Sequence, residues 1–343
     1  MSKQKIIDLR SDTVTRPSQE MLQLMFNAEV GDDVFGDDPT VIELEKKVAR
    51  LFNKEASLFC ASGTMANQIA IKTHTQPGDE IICDITSHVY NYEGCGIGFN
   101  SGCSVRLLYG DRGRITAAQV KENINSENDH FPTSKLVVIE NTSNKGGGSY
   151  YDYEEVKRIS SLCRSEDLRL HLDGARLFNA LVETGEKPSD YGKLVDSVSI
   201  CLSKGLGAPI GSVLAGNYEF IKKARRVRKA FGGGMRQVGY LAAAGIYALD
   251  HNISRLKDDH SRARKIGEIL QRLPYIKDIL PIDTNIIVFR LIDSIKDSDF
   301  ILKMKERGIL VTGFGPQTIR IVTHLDFDDN SIERTIQALK NIS

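Results

Sequence analysis

The chain has 343 residues, of which 41% are hydrophobic and 26% charged, with 45 basic residues against 45 acidic ones. This length exceeds the roughly 250–300 residues at which one core stops growing, which predicts a large domain and a smaller one. A formal net charge of zero lacks the basic surplus of proteins that bind nucleic acids or anionic membranes, so we expect a small-molecule ligand. There is neither an apolar run of membrane-spanning length nor a signal-peptide pattern, so we expect a cytoplasmic location.

In chain order, helical patterns alternate with short apolar strands. Asp38 and Pro39 are typical of a helix start, and a strand over Ala56–Cys60 leads through a turn into a second helix. Further strands are predicted at residues 80–83, 136–140, 169–172, 197–202 and 212–215, with helices at 153–164 and 218–229. This alternation predicts an α/β fold of three layers with a mostly parallel sheet.

The pattern changes in the last third of the chain. A long helical stretch over residues 237–273 is followed by a strand at 285–291, a helix at 297–307, two strands at 309–312 and 318–323, and a final helix. This order is typical of a separate α+β unit. We therefore predict a large domain over residues 1–250, including an N-terminal arm, and a small C-terminal domain over residues 251–343.

Several common functional motifs are absent. The glycine clusters fail the G-x-G-x-x-G spacing of a dinucleotide site, and there is no P-loop, H-E-x-x-H or G-x-S-x-G motif. The six cysteines include no C-x-x-C pair, which favours core thiols over a zinc site or a disulfide framework. We therefore expect no metal, and no hydrolase or nicotinamide chemistry.

Two strand ends carry reactive side chains. Asp173 follows one apolar strand and Lys204 ends the next, so both are expected at the carboxyl edge of a parallel sheet. A surface salt bridge would also explain such a pair. The turn Ser62-Gly63-Thr64, however, adds a helix N-terminus suited to an anion. A lysine, a carboxylate and a phosphate cradle are what pyridoxal 5′-phosphate (PLP) requires of a protein.

Six segments of the chain resemble the motifs of one enzyme family and occur in the same order as in that family. They are residues 8–15, 31–40, 62–67, 171–176, 203–209 and 232–237. Together they resemble the L-threonine aldolases of the low-specificity type, which belong to the fold-type I PLP enzymes. The similarity extends from about residue 8 to the strand that contains Arg320. It implies a fold of the aspartate-aminotransferase kind with PLP as cofactor.

The resemblance implies roles for the cofactor-binding residues. Lys204 matches the lysine that forms the Schiff base, and Asp173 matches the partner of the pyridine nitrogen. Gly63 and Thr64 match the phosphate cradle. His88 matches the histidine that stacks on the ring, and it is also a candidate acid or base near neutral pH.

Other positions resemble substrate-binding residues. Ser11, Arg176 and Arg320 match the groups that bind the substrate α-carboxylate. An ion pair with a neighbouring aspartate is the alternative for Arg176. An unpaired guanidinium at Arg320, within an apolar strand, would be costly without an anionic ligand. Arg236 matches an arginine that reaches the cofactor phosphate of an adjacent subunit, so a homodimer or homotetramer is expected.

Two positions depart from the family pattern. Ser143 stands where relatives often have a histidine, and Phe35 replaces a tyrosine. Both changes affect the handling of the substrate hydroxyl more than cofactor binding. We expect that a site without a committed hydroxyl partner discriminates weakly between threonine diastereomers.

The resemblance predicts cleavage of L-threonine or L-allo-threonine to glycine and acetaldehyde. Two alternatives remain at this point. The first is another fold-type I lyase that acts by β-elimination on a β-substituted amino acid. The second is a non-enzymatic protein of this fold that binds PLP, which the intact pair of Lys204 and Asp173 argues against. The preferred diastereomer and the group that deprotonates the β-hydroxyl stay open.

Overall fold

The computed structural model describes residues 6–342, whereas residues 1–5 and 343, at the outer ends of the two predicted domains, lie outside the described residues. The helices are α1 (Gln19–Phe26), α2 (Pro39–Leu51), α3 (Gly63–His74), α4 (His88–Asn91), α5 (Ala117–Glu122), α6 (Tyr153–Ser165), α7 (Leu177–Thr184), α8 (Pro188–Leu194), α9 (Tyr218–Ala230), α10 (Gly239–His251), α11 (Leu256–Leu270), α12 (Asp297–Glu306) and α13 (Asp329–Lys340). None of these helices is both long enough and apolar enough to cross a membrane. The strands are β1 (Ile7–Asp8), β2 (Ala56–Cys60), β3 (Asp79–Asp84), β4 (Ser104–Leu108), β5 (Thr133–Glu140), β6 (Arg169–Gly174), β7 (Ser197–Cys201), β8 (Ser212–Gly216), β9 (Ile276–Ile279), β10 (Ile286–Leu291), β11 (Ile309–Leu310), β12 (Thr312–Gly315) and β13 (Thr318–Val322).

The central sheet has seven strands in the order β2-β8-β7-β6-β5-β3-β4. In this sheet β8 runs antiparallel to its neighbours β2 and β7, and the remaining pairs are parallel. Successive residues of a strand point to opposite faces. Accordingly Phe59 packs into one buried core, and its neighbour Leu58 packs into another with α3 and α9. The predicted three-layer, mostly parallel sheet is therefore confirmed.

A second, antiparallel sheet lies in the C-terminal part of the chain. Its order is β12-β13-β10-β9, and its core contains Phe289, Phe300 and Ile319. The α+β character predicted for this region is confirmed. The first strand joins this unit: β1 pairs with β11 in parallel, and Leu9 is buried in the same core. The division near residue 250 stays a prediction.

The predicted continuous helix over residues 237–273 is wrong. The structure breaks it into α10 and α11, because residues between them turn to bind the loop after β7. The Asn252 amide donates to the Leu206 carbonyl oxygen at 2.7 Å, and Arg255 contacts the Gly205 carbonyl oxygen at 3.4 Å. Asparagine also has a modest helix propensity. The residues at this break thus fix the segment that follows Lys204.

Phe300 and Leu302 lie in the same helix, α12, so that variants of the two can test the core of the C-terminal unit. Phe300 is fully buried against the rings of Tyr275 and Phe289, whereas Leu302 is 55% exposed. We expect Phe300→Ala to lower the free energy of unfolding by about 3–5 kcal/mol, because it leaves a cavity. Leu302→Ala should change it by less than about 0.5 kcal/mol. Chemical denaturation of both variants measures the difference, and equal losses would contradict this account of the core.

Candidate active site

Five residues singled out in the sequence lie at the carboxyl edge of the central sheet. Asp173 lies in β6, and Lys204 lies just beyond the end of β7. Gly63 and Thr64 begin α3 soon after β2, and His88 begins α4 after β3. Because these four strands are parallel, their ends meet at one edge of the sheet, where open α/β sheets bind ligands.

Lys204 combines a fixed backbone with an unengaged side chain. Its carbonyl oxygen accepts hydrogen bonds from the Thr15 hydroxyl at 3.0 Å and from the Gly207 N–H at 2.8 Å. Gly207 has a φ of +78°, which favours glycine. The Lys204 ammonium makes no hydrogen bond or ion pair with any residue between 6 and 342. The amine is therefore available to react.

Asp173 is a buried carboxylate without a cationic partner. It is 2% exposed and accepts hydrogen bonds from the Asn67 amide at 2.9 Å and the Ala175 N–H at 3.2 Å. Within the described part of the chain, no lysine, arginine or histidine nitrogen lies within 4.0 Å of it. A buried charge is costly unless it is compensated. A bound cationic group would supply that compensation.

The first turn of α3 offers unpaired backbone donors. The Ser62 hydroxyl accepts from the Met65 N–H at 3.1 Å, which leaves the N–H groups of Gly63 and Thr64 without a partner in the helix. A Cβ atom on Gly63 would lie 2.6 Å from the Cys201 sulfur. Only glycine therefore lets α3 begin so close to the end of β7, and its N-terminus suits an anion.

A buried network connects His88 with Asp173. The Glu93 carboxylate, fully buried, accepts from His88 Nδ1 at 2.9 Å, from the Asn67 amide at 2.9 Å and from the Gln68 amide at 2.7 Å. The same Asn67 nitrogen also donates to Asp173. A carboxylate facing Nδ1 fixes the proton on that nitrogen, so in the neutral ring Nε2 is the acceptor. Neither Glu93 nor Asn67 was predicted from the sequence as a site residue.

His88, Glu93 and Asp173 are also close enough together to be considered as ligands of a metal ion. Their ligand atoms lie within 4.8 Å of one another. The Asn67 amide, however, donates to both carboxylates, and a donor is the wrong group beside a cation. This arrangement suits an organic cation outside the network better than a metal within it.

Two acid–base groups at this edge have shifted pKa values. Burial alone would lower the pKa of His88, but the hydrogen bond to Glu93 and the negative charge of Asp173 raise it overall. Burial and the charge of Asp173 raise the pKa of Glu140 to about 7. Glu140 also accepts from the N–H groups of His88 and Asn144, both at 2.8 Å. The site thus holds an imidazole whose pKa is raised and a carboxyl whose pKa lies at about 7, as is common at functional sites.

Arg176 is already paired. Its Nε and Nη2 donate to the two Asp12 oxygens at 2.8 and 2.6 Å, and both side chains are buried. Arg176 therefore forms an ion pair, but with Asp12, which is 164 residues away, and not with the Asp173 that its place in the sequence suggested. The adjacent Ser11 hydroxyl accepts from the Thr13 N–H at 3.2 Å. A substrate-binding role for Ser11 and Arg176 stays a prediction.

Arg320 reaches the same edge from β13. It donates to the Asn144 side-chain oxygen at 2.8 Å and to the Arg10 carbonyl oxygen at 2.9 Å, and its buried Nε has no partner. Burial and the nearby charge of Arg176 lower the pKa of Arg320 to about 10. In residues 6–342 no carboxylate lies within 4.0 Å of its guanidinium. An anionic ligand would relieve this unbalanced charge.

Arg320 and His88 share a cavity of about 490 Å³. We call it the side-chain cavity, and its lining includes His88, Tyr92, Asn144, Lys145, Phe314 and Arg320. It is open at the sheet edge and is lined by aromatic rings and cationic groups. It has the size expected for a small-molecule site.

Three other predicted positions lie apart from this network. The buried Ser143 hydroxyl accepts from the Gly146 N–H at 3.1 Å, so it is engaged within its own turn. Phe35 is 76% exposed. Arg236 donates to Asp32 at 2.8 Å, and its guanidinium lies 5.9 Å from the centre of the Phe35 ring. Within a single chain, the structure does not bring Arg236 to the other site residues.

Known proteins are similar to this chain in sequence. Residues 8–293 match the beta-eliminating lyase family. The chain belongs to this family. The low specificity L-threonine aldolase of Escherichia coli is 42% identical over 322 residues, which cover 94% of each chain. That of Saccharomyces cerevisiae is 40% identical over 301 residues, covering 86% of this chain and 77% of the yeast protein.

Solved structures agree on the fold of this beta-eliminating lyase. A threonine aldolase of Leishmania major superposes with a TM-score of 0.86 at 22% identity, covering 97% of this chain and 98% of the other. A serine palmitoyltransferase of Sphingomonas wittichii gives a TM-score of 0.78 at 17% identity, covering 99% and 87%. The fold-type I prediction is confirmed, and the protein is a PLP-dependent lyase.

The residues at the sheet edge fit this cofactor. A carboxylate without a counterion suits a protonated pyridine nitrogen, and a partner-free amine suits the aldehyde. The unpaired N–H groups of Gly63 and Thr64 suit a phosphate, and a side chain at Gly63 would disturb that turn.

Replacing Glu93 with glutamine tests the buried network. Glu93→Gln removes the charge beside His88 while keeping the size of the side chain. We expect the pKa of His88 to fall, because burial is then opposed only by the charges of Asp173 and Glu140. NMR titration of the histidine rings measures it, with the exposed His130 signal as internal control. Unchanged titration of His88 would show that Glu93 does not govern its protonation.

Proposed function

We propose that the protein is an aldolase that cleaves L-threonine and L-allo-threonine to glycine and acetaldehyde with PLP. The observation that carries the proposal is the partner-free Lys204 amine at the sheet edge that bears the buried Asp173 carboxylate. The Escherichia coli and yeast relatives, which carry the name low specificity L-threonine aldolase, support this substrate class.

The cofactor would be held by five residues. Lys204 would bind it covalently, Asp173 would accept a hydrogen bond from its ring nitrogen, and His88 would cover the ring. Gly63 and Thr64 would hold the phosphate through their N–H groups. When bound, PLP supplies an electron sink for cleavage of the Cα–Cβ bond. The role of Asp173 is to keep the ring nitrogen protonated, which its negative charge favours.

The substrate α-carboxylate would bind at Arg320. This guanidinium has no carboxylate partner among the described residues, so a substrate carboxylate would complete its coordination as a charge-assisted pair. Ser11 and Arg176 would complete this subsite. Because Arg176 is also bound by Asp12, we assign it mainly to positioning and Arg320 to direct binding. Fixing the carboxylate orients the bond to be cleaved.

The β-hydroxyl proton would pass to His88. Its Nδ1 faces Glu93, so Nε2 of the neutral ring is free to accept a proton, and Glu93 and Asp173 stabilise the resulting imidazolium. The Ser143 hydroxyl is engaged within its turn, which makes it a poor candidate for this role. Water within the side-chain cavity would extend the reach of His88 where the hydroxyl is distant.

β-Elimination is the second candidate function, because the family itself carries the name beta-eliminating lyase. The two reactions differ in their products. An aldolase releases glycine and an aldehyde, whereas an eliminating lyase releases a keto acid and ammonia. Chromatography of the products from L-threonine separates them, and keto acid without glycine would overturn the aldolase proposal.

We also propose that the protein is a cytoplasmic homo-oligomer, either a dimer or a tetramer. Three apolar side chains of α1 are exposed, those of Leu22, Leu24 and Phe26, the last of them 85% exposed. Such apolar surface favours association. Arg236 lies outside the site of its own chain, where a neighbouring subunit would give it a cofactor phosphate to bind.

Lys204 is the residue to test first. Borohydride reduction should bleach the yellow protein and attach the cofactor to Lys204, which peptide mass spectrometry identifies. Lys204→Ala should abolish turnover and the adduct, whereas Lys135→Ala, at a surface ion pair with Asp167, should change neither. Asp173→Asn should lower kcat about 10²–10³-fold, because a stabilising charge is lost from the transition state. An adduct on another lysine would contradict the assignment.

The relative importance of His88 and Ser143 is also measurable. We expect His88→Ala to lower kcat about 10²–10⁴-fold, because a proton-transfer group is removed. Ser143→Ala should affect turnover less, and the wild type should cleave both threonine diastereomers. Glycine release from each substrate tests this. Strict selectivity for one diastereomer, or an unaltered rate after His88→Ala, would show that another group handles the hydroxyl.

The proposed association is tested by sedimentation velocity. The wild type should sediment as a dimer or a larger species, and Phe26→Asp should weaken association, because it replaces the most exposed apolar side chain of α1 with a charge. Glu20→Gln, on the same helix, is the matched polar control. A fully active wild-type monomer would refute the proposal that Arg236 completes the site of a neighbouring subunit.

A further inference from the structure

The side-chain cavity carries a second cation besides Arg320. The Lys145 ammonium lies 3.9 Å from the centre of the Phe314 ring and 5.9 Å from that of the Tyr92 ring. It donates to the Phe314 carbonyl oxygen at 2.9 Å. An ammonium has three N–H groups, so two are left without an acceptor in residues 6–342. No carboxylate of this part of the chain lies within 4.0 Å of it.

Lys145 is presented by a well-anchored turn. The Asn144 N–H donates to Glu140 at 2.8 Å, and the Asn144 side-chain oxygen accepts from Arg320 at 2.8 Å. The Gly147 N–H donates to the Asn144 carbonyl oxygen at 3.2 Å. The backbone beside Lys145 is therefore fixed relative to Arg320, so a ligand that meets both cations requires little reordering of the chain.

The spacing of the two cations limits the ligand. The Arg320 guanidinium carbon lies 4.8 Å from the centre of the same Phe314 ring. The two cations therefore cannot be farther apart than the sum of their distances to that point. A four-carbon dicarboxylate, with one carboxylate against each cation, has this reach. A monocarboxylate such as threonine leaves one cation unpaired.

We propose that the side-chain cavity binds 2-amino-3-hydroxy acids with a second carboxylate at C4, the 3-hydroxyaspartate class. This inference rests on the proposed aldolase function and specifies its substrate class. Arg320 would bind the α-carboxylate and Lys145 the C4 carboxylate. Each contact is a charge-assisted hydrogen bond, and the rings of Tyr92 and Phe314 shield the Lys145 contact from water.

The reaction balances without an added oxidant or reductant. The Cα–Cβ bond breaks, the β-hydroxyl loses its proton and the β-carbon becomes the aldehyde of glyoxylate. The electron pair stays on Cα, which takes up one proton to give glycine. The reaction is the same as that of threonine, with a carboxylate in place of the methyl group.

Kinetics of Lys145→Met test the proposal. The wild type should form glyoxylate and glycine from L-3-hydroxyaspartate. In the variant, the ratio of kcat/KM for hydroxyaspartate to that for L-threonine should fall about 10- to 100-fold, mainly through KM, because one charged hydrogen bond is lost. Lys135→Met is the control and should leave the ratio unchanged. Threonine cleavage without glyoxylate formation, or an unchanged ratio in Lys145→Met, would overturn the proposal.

Binding of unreactive acids provides a second readout on the holoenzyme. In calorimetric titrations, succinate should bind at least tenfold more tightly than butyrate, and Lys145→Met should remove this preference. Equal binding of the two acids to the wild type would overturn the proposal. Failure to cleave threonine would instead refute the proposed function, and the succinate preference would still decide whether the two cations form a dicarboxylate site.

Discussion

The buried ion pair between Asp12 and Arg176 joins the parts of the molecule that form the active site. Asp12 belongs to the N-terminal segment, and Arg176 follows β6 of the central sheet. Asn285, from the C-terminal unit, contacts Asp12 at 3.4 Å. Removing one partner of a buried ion pair destabilises a protein by about 3–5 kcal/mol, because the other charge is left buried and unpaired. The three segments are therefore held together, and Lys204 is held with them because Thr15 binds its carbonyl oxygen.

This pair also determines the distribution of charge at the sheet edge. Because Asp12 pairs with Arg176, Arg320 and Lys145 at the rim are, like Lys204, cations without a carboxylate within 4.0 Å in the described part of the chain. On the floor, Asp173 and Glu93 are buried carboxylates linked by the Asn67 amide. An acidic floor suits a cationic ring, and a basic rim suits the carboxylates of an amino acid. A site divided in this way would hold the proposed cofactor and substrate in a fixed relative orientation.

The sequence was sufficient to predict those site residues whose position follows from their own strand. Lys204 and Asp173 were predictable because each lies at the end of an apolar strand, and parallel strands end at one edge. Glu93 was not, because its importance arises only where α3 brings Asn67 and Gln68 against it. Asp12 was equally hidden, since its partner is 164 residues away. The break between α10 and α11 is likewise a tertiary effect. It results from contacts with the Lys204 loop, which cannot be predicted from the helical periodicity of the sequence.

Asn144 couples the floor of the site to its rim. Its N–H binds Glu140 on the floor, and its side-chain oxygen binds Arg320 at the rim. Because burial and Asp173 raise the pKa of Glu140 to about 7, this acceptor changes charge near neutral pH. Ionised Glu140 binds the Asn144 N–H more strongly than the neutral acid does, since hydrogen bonds to charged acceptors are stronger. Asn144 therefore links the protonation of Glu140 to the side chain that accepts a hydrogen bond from Arg320.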